Sequence, residues 1–183
     1  LQRLFSEDLQ RLSRVMQLQT QRRTTGRKAS LTTMCIASDG RSLVYGAHDG
    51  RLRWLGLADE IVEEPLAFLS HTESRIVGHH DSLPTTVAVG SDGRTLLSGC
   101  VDGWVRAWDI SAGTLGGEHH LNCQVNSVAV STDGKLVVVG ADNGETHLYS
   151  MPGLKKQRTL SGHREAVQQV AAGRARRVIV SAG

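Results

Sequence analysis

The feature that most constrains this chain is a recurring pair of tight turns. Ser38-Asp39-Gly40, Ser91-Asp92-Gly93 and Thr132-Asp133-Gly134 each sit between two alternating, β-rich segments. A second turn follows ten residues later in every case, closing on Gly50, Gly103 and Gly144. The second and third copies are 41 residues apart at both turns, and 53 residues separate the first copy from the second. Aspartate followed by glycine between such segments marks a hairpin, because glycine supplies the positive φ that a twisted two-stranded turn requires. The pattern predicts strands over 32–37, 42–46 and 51–55, over 85–89, 95–100 and 104–108, and over 125–130, 135–140 and 145–149. A fourth copy starts with strands over 166–171 and 177–182. Helical periodicity is absent from this region, so the sequence describes a serial antiparallel sheet protein.

Further residues complete the repeat. Gly78-His79 precedes the second copy, Trp108-Asp109 ends it, and Gly162-His163 precedes the fourth; His163 follows His79 by 84 positions, two periods of 42. On these residues the region 31–183 resembles the WD40 family of β-propellers, which implies an all-β fold of four-stranded blades. In that family a histidine, a serine or threonine, an aspartate and a tryptophan form a buried hydrogen-bonded chain that stiffens each blade. The matching residues here are His79, Ser98, Asp102 and Trp108. The first copy keeps Asp49 and Trp54, with Tyr45 at the serine position and Arg27 near the histidine position. Val139, Asn143 and Tyr149 stand in the third, which implies a blade held by packing. Ser181 of the fourth copy aligns with Ser98, and the sequence stops at Gly183. Rings of this kind close with about 4–8 blades, so the expectation is an incomplete propeller of about three and a half blades.

The first thirty residues differ in character. Leu1, Leu4, Phe5, Leu9, Leu12, Val15 and Met16 recur at helical steps, predicting an amphipathic helix over 1–18, and 19–30 reads as a basic linker. That helix has two readings: packing on its own propeller, or docking into a partner. Residues 1–30 hold seven Lys/Arg against two acidic side chains, whereas the remainder holds 14 against 16. The positive excess therefore belongs to the leading segment, where Arg22, Arg23, Arg27 and Lys28 could neutralise RNA phosphates without reading sequence, or simply be solvated. The long connection 56–74 is acidic and encloses an apolar stretch whose Leu66, Phe68 and Leu69 are candidate partner contacts, although part of it is also expected to form the blade's outer strand.

Enzymatic chemistry finds little purchase. Ser98, His79 and Asp102 carry the letters of a nucleophilic triad, but the propeller alignment buries them beside Trp108, and no nucleophile-elbow motif is present. The pairs His79-His80 and His119-His120 lie one repeat apart in equivalent connections, without cysteine or carboxylate at ligand spacing, so no metal site is expected. No phosphate-cradling glycine loop occurs, and no cofactor or small-molecule substrate is implied. Cys35, Cys100 and Cys123 are odd in number and widely spaced, consistent with reduced, buried thiols in a protein that is not secreted. No apolar run is long enough to span a membrane. The reading is thus a non-catalytic scaffold in a multiprotein assembly. The basic helix, basic linker and long first connection resemble WD-repeat subunits of the U3 small nucleolar ribonucleoprotein, implying a nucleolar role in pre-ribosomal RNA processing. The alternative is a purely protein-binding adaptor, for example cytoplasmic, in cytoskeletal, ciliary or signalling complexes.

Overall fold

The computed structural model describes residues 30–56, 74–173 and 178–183. The expected helix, the basic residues Arg22, Arg23, Arg27 and Lys28, and the apolar Leu66, Phe68 and Leu69 lie outside the described residues. Fourteen strands are described, all antiparallel to their neighbours. The first sheet runs β1 (Leu31–Ile36), β2 (Ser42–Ala47), β3 (Arg51–Gly56) and β4 (Arg75–His79) in that order. A second follows with β5 (Pro84–Val89), β6 (Thr95–Cys100), β7 (Trp104–Asp109) and β8 (Thr114–His120). The third comprises β9 (Val125–Val130), β10 (Leu136–Ala141), β11 (Glu145–Ser150) and β12 (Lys155–Ser161), and β13 (Gln169–Ala172) pairs with β14 (Ile179–Ala182). The expected strands match within a few residues. One reading is corrected: the outer strand of the first blade is Arg75–His79, beyond the 56–74 connection, because the backbone pairing with β3 starts at Arg75.

The first turn of each repeat is fixed by its aspartate. Asp39 Oδ1 accepts the backbone N–H groups of Arg41 and Ser42, Asp92 Oδ1 those of Arg94 and Thr95, and Asp133 Oδ1 that of Lys135. These bonds satisfy donors that a two-residue turn leaves without a sheet partner. In the first two repeats the hydroxyl preceding the aspartate couples neighbouring blades, since Ser38 Oγ donates to the carbonyl of Ser91 and Ser91 Oγ to that of Thr132.

Adjacent sheets also join along their inner strands. Thr86 Oγ1 of β5 accepts the N–H of Val128 on β9 at 3.2 Å, and Ser127 Oγ of β9 accepts that of Val170 on β13 at 3.2 Å. The alternation of each strand sends one apolar row to each neighbour. Leu97, Val105 and Ala107 of the second blade meet Val128, Val137, Val139 and Tyr149 of the third in one buried core. Val44, Leu52 and Val77 of the first blade meet Leu96, Trp108 and Ile110 of the second in another. The molecule is therefore held by seams between blades rather than by one central core.

The second turn of each repeat is where consecutive blades touch most closely. Gly103 has φ +90, and a Cβ there would lie 2.0 Å from the carbonyl oxygen of Leu121. The equivalent Gly50 faces the carbonyl of His80 and Gly144 that of His163. Glycine at this position is thus demanded twice, by dihedral and by space. Gly93 has a similar φ of +64 with open space around its Cβ. Gly103→Ala should therefore destabilise the full-length protein clearly more than Gly93→Ala, which should cost about 1 kcal/mol for strain alone. Chemical unfolding of both variants checks this, and equal costs would contradict it.

Candidate functional site

The centre of the second blade holds a polar chain in a dry setting. Ser98, at 0% exposure in the middle of β6, accepts the indole N–H of Trp108 at 2.9 Å and lies 2.7 Å from His80 Nε2. The indole packs closely over Gly78, and the imidazole of His80 meets it edge-on with centroids 6.3 Å apart. Such groups are tolerated in an apolar interior because each satisfies the next. Burial, followed by the positive charge of Arg106, pushes the His80 imidazole down to about 4, so the chain is uncharged near neutrality.

The histidine of this chain is His80, which corrects the expectation of His79. His79 pairs with Arg51 at the end of β4 and is exposed, while its carbonyl accepts from Arg106. Consecutive side chains on an extended strand face opposite ways, so only the next residue can turn inward. Its N–H bonds the carbonyl of Gly50 at 2.9 Å, which aims the ring at Ser98. A sequence signal existed: His163 Nε2 lies 2.8 Å from Ser181 Oγ, and both histidines precede their serine by 18 residues. The two histidine pairs are also not equivalent. The N–H of Leu121 bonds the carbonyl of Gly103 as that of His80 bonds Gly50, so His80 corresponds to Leu121, and His79 to His120. His119 instead packs on the Tyr149 ring, and His120 on Trp104, its Nε2 2.9 Å from the Asp102 carbonyl.

Asp102 departs from its expected bond. Its Oδ1 accepts the N–H of Trp104 at 3.2 Å, capping the second turn, and the buried Nδ1 of His80 has no hydrogen-bond partner. The carboxylate is nevertheless near: a ring nitrogen of His80, Cys100 Sγ and an Asp102 oxygen all lie within 4.8 Å of one another. Cys100, fully buried, donates to the carbonyl of Leu83 at 3.1 Å, and burial pushes its thiol up to about 11. The sequence reading treated this cysteine as filler. Ser98 itself is enclosed between two hydrogen-bonded rings, a geometry for holding the blade rather than for nucleophilic attack.

Neighbouring blades solve the same position differently. In the third, Leu121, Val139 and Tyr149 are all buried in a single core, so packing replaces the polar chain. In the first, Tyr45 pairs with Arg53 as Ser98 pairs with Arg106, but Trp54 is not the counterpart of Trp108. Leu55, 1% exposed and paired with Leu43, takes that place, and Trp54 sits one residue closer to the turn, within 5.8 Å of the Arg75 guanidinium.

Repeated four-stranded antiparallel blades joined by such turns and chains define a β-propeller. The model of the family "WD domain, G-beta repeat" matches residues 70–109 and 113–150, and these stretches are WD40 repeats. Its backbone is similar to the crystal structure of the WD40 repeats of RRP9, with TM-score 0.71 and 19% sequence identity. That similarity covers 87% of this chain and 46% of the other, so the chain spans about half the length of that relative. No curated protein matches it in sequence.

Two outcomes test the site. His80→Ala strips a partner from a fully buried hydroxyl and should cost about 1–3 kcal/mol, whereas His79→Ala on the exposed strand end should stay within about 0.5 kcal/mol. The second outcome concerns pH. His80, His119 and His147 are all held below the ordinary imidazole range, chiefly by burial and then by Arg106 for the first and Lys156 for the other two. The unfolded chain takes up protons near pH 6.5, while folded His80 resists to about 4, so the unfolded state binds more protons in this window. Stability should be full above about pH 6.5 and fall as pH drops toward 4. Melting curves across this range should show a shallower fall for His80→Leu than for the wild type.

Proposed function

We propose that this protein is a non-catalytic scaffold subunit of a ribonucleoprotein assembly, of the U3 small nucleolar kind, acting in pre-ribosomal RNA processing in the nucleolus. The observation that carries this reading is the structural similarity to the WD40 repeats of RRP9 over 87% of the chain. The sequence resemblance to U3 subunits in the leading segment supports it. WD40 repeats build rigid, multi-faced platforms, and function lies in what decorates them. Here the decoration with the plainest chemistry is the basic segment holding Arg22, Arg23, Arg27 and Lys28. The rest of the chain has slightly more acidic than basic side chains, so this segment supplies most of the attraction for a phosphate backbone. Other proteins of the complex would dock on the propeller faces and on the connection bearing Leu66, Phe68 and Leu69. Among the described residues no helix is long and apolar enough to cross a membrane.

The test is RNA binding by the full-length protein with Arg22, Arg23, Arg27 and Lys28 all changed to alanine. Affinity should fall similarly for unrelated single-stranded RNAs, and the log–log salt slope should flatten by up to about 0.7 per lost phosphate contact. An unchanged affinity and slope, or no RNA binding by the intact protein, overturns the ribonucleoprotein reading and favours the protein-binding adaptor.

A further inference from the structure

We propose that the outer strand of the third blade, β12, is a second RNA contact that holds phosphates through Lys155, Lys156 and Arg158; this rests on the ribonucleoprotein reading and adds a surface on the folded part of the chain. In the order β12-β11-β10-β9 this strand lies at the edge of its sheet, so one row of its backbone N–H and C=O groups has no sheet partner. Lys155, Lys156, Gln157 and Arg158 are all exposed. Four arginines of the first two blades are engaged: Arg53 with Asp49, Arg94 with Asp109, Arg106 with Glu118, and Arg75 with the carbonyls of Ile110 and Ser111. Among the described residues, no acidic side chain pairs with Lys155, Lys156 or Arg158. Glu145, the acidic residue of β11, stands at the far end of the sheet opposite Ser161, where Asn143 and His147 engage it.

The register spreads these charges around the free edge. Lys155 pairs with Ser150, Lys156 with Tyr149 and Arg158 with Leu148, because an irregularity passes over Gln157. Tyr149 and Leu148 face opposite ways, and directly paired residues share a face. Lys156 and Arg158 therefore lean to the two sides of the strand, whereas regular pairing would stack them on one. Cations on an edge strand also discourage pairing with other chains, but the fold does not require them for that. The equivalent outer strand β8 has no lysine or arginine, and β4 has only the engaged Arg75. A protein partner is less well served, since interfaces are anchored by buried aromatic and aliphatic side chains. None of the large exposed hydrophobics among the described residues lies between Leu121 and Ser161, and the blade's one aromatic ring besides its histidine, Tyr149, is buried. With no exposed aromatic platform for bases, contact should be with the backbone and indifferent to sequence.

The test is the full-length protein with Lys155→Gln, Lys156→Gln and Arg158→Gln combined, titrated with polyuridylate and with a mixed-sequence single-stranded RNA. Both affinities should fall by the same factor, and the log–log salt slope should flatten by up to about 2, at about 0.7 for each lost contact. Arg41→Gln, at an exposed turn of the first blade, should change neither. Acetylation of the wild-type protein should show Lys155 and Lys156 shielded by bound polyuridylate, which covers the case in which the triple variant misfolds. If the intact protein binds RNA but the folded variant keeps its affinity and slope, or if both lysines stay reactive in the complex, this proposal fails and the linker contact stands. No RNA binding by the intact protein removes both readings. Polyglutamate binding lost in the variant with RNA affinity unchanged assigns the strand to an acidic protein and overturns the proposal as well.

Discussion

The structure depends on one constraint: each blade is finished by a residue that belongs in sequence to the blade before it. The connection leaving β4 lays the carbonyl of His80 against Gly50, turns its side chain inward, and delivers an imidazole to Ser98 of the next sheet. The same backbone step recurs at Leu121 against Gly103 and at His163 against Gly144. Because the contact crosses the boundary, no blade is complete by itself. The inner-strand bonds from Thr86 and Ser127 and the shared apolar seams reinforce this mutual dependence. Stability in such an array is distributed over intrinsic blade terms and nearest-neighbour interfaces.

That one backbone step accepts two kinds of side chain. The second blade uses a satisfied polar chain through Trp108, Ser98 and His80, and the third uses Leu121, Val139 and Tyr149. Neither solution is far ahead energetically, since a buried hydrogen bond contributes only about 1 kcal/mol net and an apolar replacement of similar shape can be nearly neutral. Half of a polar chain is the costly state.

Much of this was legible in the sequence, for a physical reason. Turns that need aspartate acceptors and positive φ are written in few residue types, so Ser91-Asp92-Gly93 and Val101-Asp102-Gly103 mark their places directly. Strand boundaries followed from them, with β9 and β6 matching residue for residue. Facing was harder. His79 and His80 are indistinguishable by composition, and only the 18-residue offset shared with His163 and Ser181 separates them. Trp54 misled similarly, standing one residue nearer its turn than Trp108 does. A single-residue slip reverses a strand side chain from one seam to the other. The proximity of Cys100 to His80 was invisible, because it arises only when two blades meet.

The central claim, that His80 reaches across the blade boundary to Ser98, is tested most directly by a double-mutant cycle in the full-length protein. His80→Ala and Ser98→Ala should couple by about 0.5–3 kcal/mol, the range for residues in one hydrogen-bonded network, while His79→Ala and Ser98→Ala should add within about 0.5 kcal/mol. Additive costs for His80 and Ser98, or coupling that follows His79 instead, would contradict the account.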